Sequence, residues 1–337
     1  MLKYLFILAV VFLAFYYRDL LFRSQTLFHT DSILYNFRNM DKLGFSYNYG
    51  HKGNNVSNFK CELNYDLPKH FIHNEQIFNM DDWITSYSTT GLIILKIDDI
   101  TSARLLHESY FLGNRKKSKV ISWSTGKSIV SALIGIAIDE GKIKSIKDNV
   151  ADYATELKNT SYDGISIENI LQMSSGVEFN ENYFDFWADV NKMDWYIDFE
   201  YDLIGLIKGL KKNNEQGLIH EYTTINAHVL GMTLKAAIND TLTNYLQEKI
   251  WKKIGMEDDF YWLRTNDDRK NELAGGTINA QIRDYARFGW LYLNKGKSPL
   301  DGSQIISEKW INASITPDKT HLMPGLNIKY PLGYGYQ

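Results

Sequence analysis

The sequence predicts an α/β (α+β) domain in which a largely antiparallel sheet is flanked by helices, with a helical lobe over roughly residues 145–265. Two observations lead there. Residues 91–96 and 105–111 are short runs rich in apolar and aromatic side chains, and the polar turn 98–103 joins them as a hairpin. A long apolar helix over 128–139 follows, and shorter helical stretches come after it.

Each element has a local cause. The long helix stops at Gly141, which suits the left-handed C-cap position. Residues 142–150 then lead to 151–157, and 165–176 reads as a short helix with Ser and Asn at its start and Gly176 at its stop. A chain of 337 residues with 44% hydrophobic content can bury one enzyme-sized core with an inserted lobe.

Composition also excludes. A net charge of −3 gives no reason to expect nucleic acid, and the basic run 115–119 reads as a solvated loop after the hairpin. Cys61 is the single cysteine, so neither an intramolecular disulfide nor a zinc knuckle can form. His220, Glu221 and His228 lack the spacing of a zinc-binding helix, and neither a metal nor another cofactor is expected.

The amino terminus reads as a separate module. Residues 4–17 carry no charge and, at about 1.5 Å per residue, would span about 21 Å, short of the ~30 Å hydrocarbon layer. Small residues for signal-peptide cleavage are missing, so 1–23 is expected to be an uncleaved membrane anchor. Residues 24–75 are polar and read as an extension lying along a domain that begins near 76.

The stretch with most chemical content is Ser124 to Lys127, placed where a polar loop turns into the long helix. A lysine three residues after a serine lies one turn on along the same helix face and can reach its hydroxyl. A neutral amine there is a competent general base, and burial lowers its pKa toward the working range. The bland alternative is an N-cap serine with a solvated lysine. Ser57 and Lys60 have the same spacing, but they sit in an Asn-rich stretch without an apolar helix and read as surface loop. A phosphate loop around Gly126 would need a glycine at position 121, which is Ile.

Six blocks now stand in one order: ISWSTGK at 121–127, IDEGKI at 138–143, ILQMSSG at 170–176, EYTTINAHVLG at 221–231, YLQEKIW at 245–251 with IGME at 254–257, and GGTINA at 275–280 running into DYARFG at 284–289. In this order they resemble the β-lactamase-related serine hydrolases, which include class C β-lactamases and penicillin-binding esterases, and most closely the 6-aminohexanoate-dimer (nylon-oligomer) hydrolases. The resemblance spans about 75–337 and implies a β-lactamase/transpeptidase-like fold.

The resemblance further implies roles. Ser124 would attack an acyl carbon of an amide, ester or β-lactam, with Lys127 and Tyr222 sharing the proton traffic. Tyr222 holds the tyrosine position of the family's Tyr-x-Asn/Ser motif; from the residues alone it would be a packed aromatic. Thr224 replaces the motif's third residue, and Gln216 stands where Pro is usual, so substrate contacts there are expected to differ. The aromatic stretches 183–189 and 195–201 read by default as core of the lobe; the resemblance offers a lid instead, with Tyr183 and Asp185 as substrate contacts.

Family members continue past 333–337 into a glycine-rich strand that provides half of the oxyanion hole, so the last sheet strands are expected to be missing here. The partners expected are a small acyl substrate, amide, ester or peptide-like, and a membrane through the anchor, with the catalytic domain periplasmic or extracellular. The alternative is a catalytically silent relative that binds a peptide, cell-wall fragment or protein in the same cleft; oligomeric state stays open.

Overall fold

A computed structural model describes residues 11, 26–63, 65–198, 202–324 and 332–336. The expected hairpin is there, with longer arms and a tighter turn than the sequence suggested. β5 (Gly91–Asp99) and β6 (Ser102–Tyr110) pair antiparallel, with Gly91 opposite Tyr110. Asp99 turns the chain by accepting the Thr101 amide, so only two residues separate the strands.

The strands divide between two sheets and a hairpin rather than forming one sheet. Antiparallel pairing gives the order β1 (Tyr47–Gly50), β8 (Phe260–Leu263), β9 (Ile278–Ala280), β7 (Val120–Ile121). The second sheet runs β2 (Lys60–Cys61), β6, β5, with β2 parallel to β6. β3 (His70–His73) and β4 (Gln76–Asn79) pair apart from both. No further strand lies on the outer edge of β5 among the described residues.

The segment 24–75 is more than a polar extension, because β1 and β2 complete the two sheets. Ser57 and Phe59, expected on a surface loop, are buried. Phe59 lies under the guanidinium groups of Arg283 and Arg287, 4.9 and 4.3 Å from its ring centre. Such stacking supplies the burial that the Asn-rich composition concealed. The anchor expected at 1–23 lies, but for Val11, outside the described residues; among those described, no helix is long and apolar enough to cross a membrane.

Helices build the remainder. α1 (Met80–Ser86) follows β4, and its N-cap Asn79 accepts the Asp82 amide. α2 (Thr125–Asp139) is buried along nearly its whole length and ends before Gly141 at φ 71°. α3 (Ile167–Leu171) is capped by Ser166, which accepts the Asn169 amide. α4 (Thr224–Ile238) packs across α2, α5 (Ile282–Leu293) lies against β5, and α6 (Glu308–Ile315) sets Trp310 against Gly135 of α2. The main core runs from β7, β8 and β9 through α2, α3, α4, α5 and α6, with Leu133, Ile134, Leu230, Trp251 and Trp262 fully buried, while Phe59, Ala103, Leu105 and Trp290 form a smaller one at the β2–β6–β5 sheet.

Candidate active site

The loop between β7 and α2 presents Ser124. Ser122 donates its amide to the Ile278 carbonyl, continuing the strand, and Trp123 then adopts φ 42°, uncommon for a bulky side chain. A backbone held there costs of order 1–3 kcal/mol and persists only where its surroundings enforce it. They do so here through Gly276, at φ 140°: a Cβ on it would stand 2.1 Å from the Trp123 carbonyl oxygen. Ser124 itself is at the helix N-cap, yet its side chain caps nothing. Its hydroxyl is therefore free for chemistry and open to solvent.

Two groups converge on that hydroxyl. Lys127 Nζ lies 3.0 Å from Ser124 Oγ and donates to the Gly275 carbonyl at 2.8 Å. The Tyr222 hydroxyl donates to Ser124 Oγ at 2.9 Å, from 98 positions away in the chain. Helix spacing alone could deliver the lysine; only the tertiary fold delivers the tyrosine. The Tyr222 loop is tied to the end of α3, where the Gly217 amide donates to the Ser174 carbonyl and the Glu221 amide to the Met173 carbonyl.

Electrostatics separates the two partners. Lys127 is 2% exposed, and burial brings its pKa down to about 8, against a smaller upward pull from the Glu181 carboxylate. Tyr222 moves the other way: burial raises its pKa, the Ser124 hydrogen bond offsets part of this, and Glu181 adds to it. The phenol thus stays protonated at neutral pH while the amine can lose its proton. His228 lies behind the lysine, close to Gly275, and burial holds it neutral with a pKa near 3.

Glu181 has no counterpart in the sequence reading. Its carboxylate accepts the Thr224 amide at 2.8 Å, the Thr224 hydroxyl, and the Tyr183 hydroxyl at 2.8 Å. The N-cap Thr223 provides no side-chain cap to α4, and Glu181 fills that role with a charge favourable to the helix dipole. It thereby holds the turn that carries Tyr222. Between Asn180 and Asn182, Glu181 looks like one more solvated loop residue; only the unsatisfied start of α4 marks a need for it.

Of the expected substrate contacts, Tyr183 and Thr224 meet at Glu181. Asp185 does not join them. Its carboxylate accepts the Trp187 amide and the Asn180 side chain, a short acidic side chain closing its own turn. Nor are the neighbouring aromatics lobe core: Phe184, Phe186 and Trp187 are exposed, at 99%, 64% and 68%. Edge-on packing among Phe186, Trp187 and Trp195 orders them on the surface instead.

A serine at a strand-to-helix turn, a buried lysine one helical turn on and a tyrosine carried by a distant loop define a serine-hydrolase-like cleft. The Beta-lactamase family model matches residues 103–336, and the chain belongs to that family. It is 24% identical over 246 residues to a 6-aminohexanoate-dimer hydrolase of Paenarthrobacter ureafaciens, a match covering 69% of this chain and 60% of that relative. The chain thus spans less than two thirds of that relative's length.

Solved structures share the fold. One from Bacillus anthracis, provisionally described as a 6-aminohexanoate-dimer hydrolase, superposes with a TM-score of 0.78 at 20% identity, over 92% of this chain and 80% of that one. A penicillin-binding protein from Bacillus halodurans superposes with a TM-score of 0.56 at 13% identity, over 75% and 82%.

Proposed function

We propose that the protein is a serine hydrolase that cleaves an amide or ester bond, a β-lactam included, through an acyl-enzyme on Ser124. The observation that carries this is the meeting of Lys127 Nζ and the Tyr222 hydroxyl on one serine oxygen, at 3.0 and 2.9 Å. With a pKa of about 8, roughly a tenth of Lys127 is neutral at pH 7. In that form Nζ takes the Ser124 proton while Oγ bonds to the acyl carbon.

Collapse of the tetrahedral adduct breaks the bond to the leaving nitrogen or oxygen. That atom needs a proton, and Lys127 returns the one it took through the Tyr222 hydroxyl, which gives its own and is refilled. Water then attacks the acyl-enzyme with Lys127 again as base, and Ser124 leaves with its proton restored. Tyr222 acts as a relay rather than as a phenolate base, because burial keeps it protonated.

Mass spectrometry after exposure to a fluorophosphonate tests the reading. One adduct on the tryptic peptide containing Ser124 is expected, and none in Ser124→Ala. An unlabelled wild-type chain favours a binding protein with a silent cleft.

A further inference from the structure

Residues 26–37 follow the charge-free run 4–17 in the sequence, and they pack beside the candidate nucleophile. Phe28 stacks on Trp123 with ring centres 5.6 Å apart, and Phe37 meets the same indole edge-on at 4.9 Å. Trp123 is the residue before Ser124. Phe28 and Trp123 nonetheless remain 56% and 37% exposed, so this apolar surface is only partly used by the fold.

Basic side chains lie next to it along both segments of chain, which the Ile121 amide joins by donating to the Phe37 carbonyl. Directly after Phe37, Arg38 and Lys42 line a cavity of about 300 Å³ that they share with Lys117 and Lys119. Arg38 donates to the Leu112 carbonyl and Lys42 to the Asn39 side chain, both neutral acceptors. Lys119 pairs with Asp258, while Lys117 projects from an exposed loop. Asp41 is the one carboxylate lining the cavity, and Asp31 on the entering turn faces His29. Exposed aromatics near cations such as Arg38, Lys42 and Lys117, which pair with no carboxylate among the described residues, are the pattern of a surface that seats on anionic lipid.

Two other exposed apolar patches lack this complement. Glu181, Asp185 and Asp189 flank the aromatic loop at 184–187 and would be repelled by an anionic surface. The groove of the β3–β4 hairpin is lined by Phe71, His73, Phe78, Met80, Trp83 and Tyr87, with no lysine, arginine or carboxylate among them.

We infer that the face formed by Phe28, Trp123 and the Arg38–Lys42–Lys117 cluster seats on an anionic membrane surface, so that Ser124 meets its substrate at the lipid–water boundary. The substrate class that follows is an amphiphilic amide or ester partitioned into the bilayer. This last clause rests on the hydrolase reading above; the docking surface does not.

Hydrogen exchange of the full chain, added to vesicles of phosphatidylcholine alone or with phosphatidylglycerol, tests the surface. Whether or not residues 1–23 insert into both kinds of vesicle, slowed exchange over 26–43 and 115–123 is expected with the anionic ones only. Lys42→Glu/Lys117→Glu should cut the protection of these segments at least about tenfold, whereas a matched reversal at the exposed Lys208 and Lys211 should not. Absence of protection, equal protection on neutral vesicles, equal loss in the matched variant, or equal protection by soluble heparin would each overturn the proposal.

Activity is read separately with two fluorophosphonates. A long-chain, vesicle-borne probe should label Ser124 faster than a short soluble one, and the charge reversal should remove that advantage. Equal rates would overturn the interfacial substrate. If neither probe labels Ser124, the hydrolase reading fails, and the exchange result alone decides the surface.

Discussion

Two places in this chain spell serine, two residues, lysine, and they have opposite fates. At Ser124 the spacing falls at the start of a helix, so the lysine turns back over the serine and is buried against it. At Ser57 the chain is not helical, and no turn brings a lysine three residues on back over the serine. Lys60 ends exposed on β2, and the Ser57 hydroxyl donates to the Ile254 carbonyl at 2.8 Å.

The surroundings of the second motif hold buried cations of another kind. Arg287, fully buried, donates to the Ser57 carbonyl and pairs with Glu257 at 3.0 Å and Asp284 at 3.2 Å. Arg283 binds Glu257 and Glu108. Lys127 has only a hydroxyl and a carbonyl as hydrogen-bond partners. A buried arginine hydrogen-bonded to carboxylates becomes structure; a buried lysine whose hydrogen-bond partners are all neutral is brought down to a pKa of about 8 and becomes available as a base.

The strongest way to break this comparison is to silence each serine. Ser124→Ala should reduce kcat/KM for an activated ester by on the order of 10⁴-fold, and Lys127→Arg nearly as much, because arginine keeps the charge but gives up no proton. Ser57→Ala should stay within about twofold, since its hydroxyl serves only a backbone carbonyl. Equal losses at both serines would end the distinction.

Stability should rank the two sites the other way round. Arg287→Met leaves Asp284 and Glu257 without their buried partner and should cost roughly 3–5 kcal/mol in urea unfolding. Lys127→Met removes a buried cation with no carboxylate in hydrogen-bond reach, so its stability should match or exceed wild type while activity disappears. A large loss of stability in Lys127→Met would mean that the lysine, too, is structural.

Legibility followed the same division. The hairpin and α2 showed in the sequence because local periodicity and end residues determine them. Ser124 and Lys127 could be paired by helix spacing, and Tyr222 was found only through the order of family blocks, since nothing local distinguishes it among 22 tyrosines. Glu181 stayed hidden because its partner, the open start of α4, lies 43 residues away. The burial of Phe59 stayed hidden likewise, because the guanidinium groups above it come from α5.

A smaller effect separates the two groups on Ser124. Tyr222→Phe keeps the ring under Lys127, whose Nζ lies 5.2 Å from the ring centre, but removes the relay hydroxyl. A loss of about 10²-fold in kcat/KM is expected, greater for an amide than for an ester with a good leaving group, whose departure needs no proton. A uniform loss across leaving groups would argue against the relay.

The smallest expected effect is a displacement of the pH profile, and it bears most directly on what a buried cation without a carboxylate hydrogen bond is for. Lys127 must be neutral to accept the serine proton, so kcat/KM should rise with pH and level off above an apparent pKa of about 8. Glu181 stabilises the charged amine and so pushes that pKa up. Glu181→Gln removes the charge while keeping an acceptor for the Thr224 amide, and the rising limb should therefore move to lower pH. Its plateau should fall less than in Glu181→Ala, which also releases the turn carrying Tyr222. A rising limb that stays in place in Glu181→Gln would show that burial alone sets the base, and one that moves to higher pH would show that the titrating group is not Lys127.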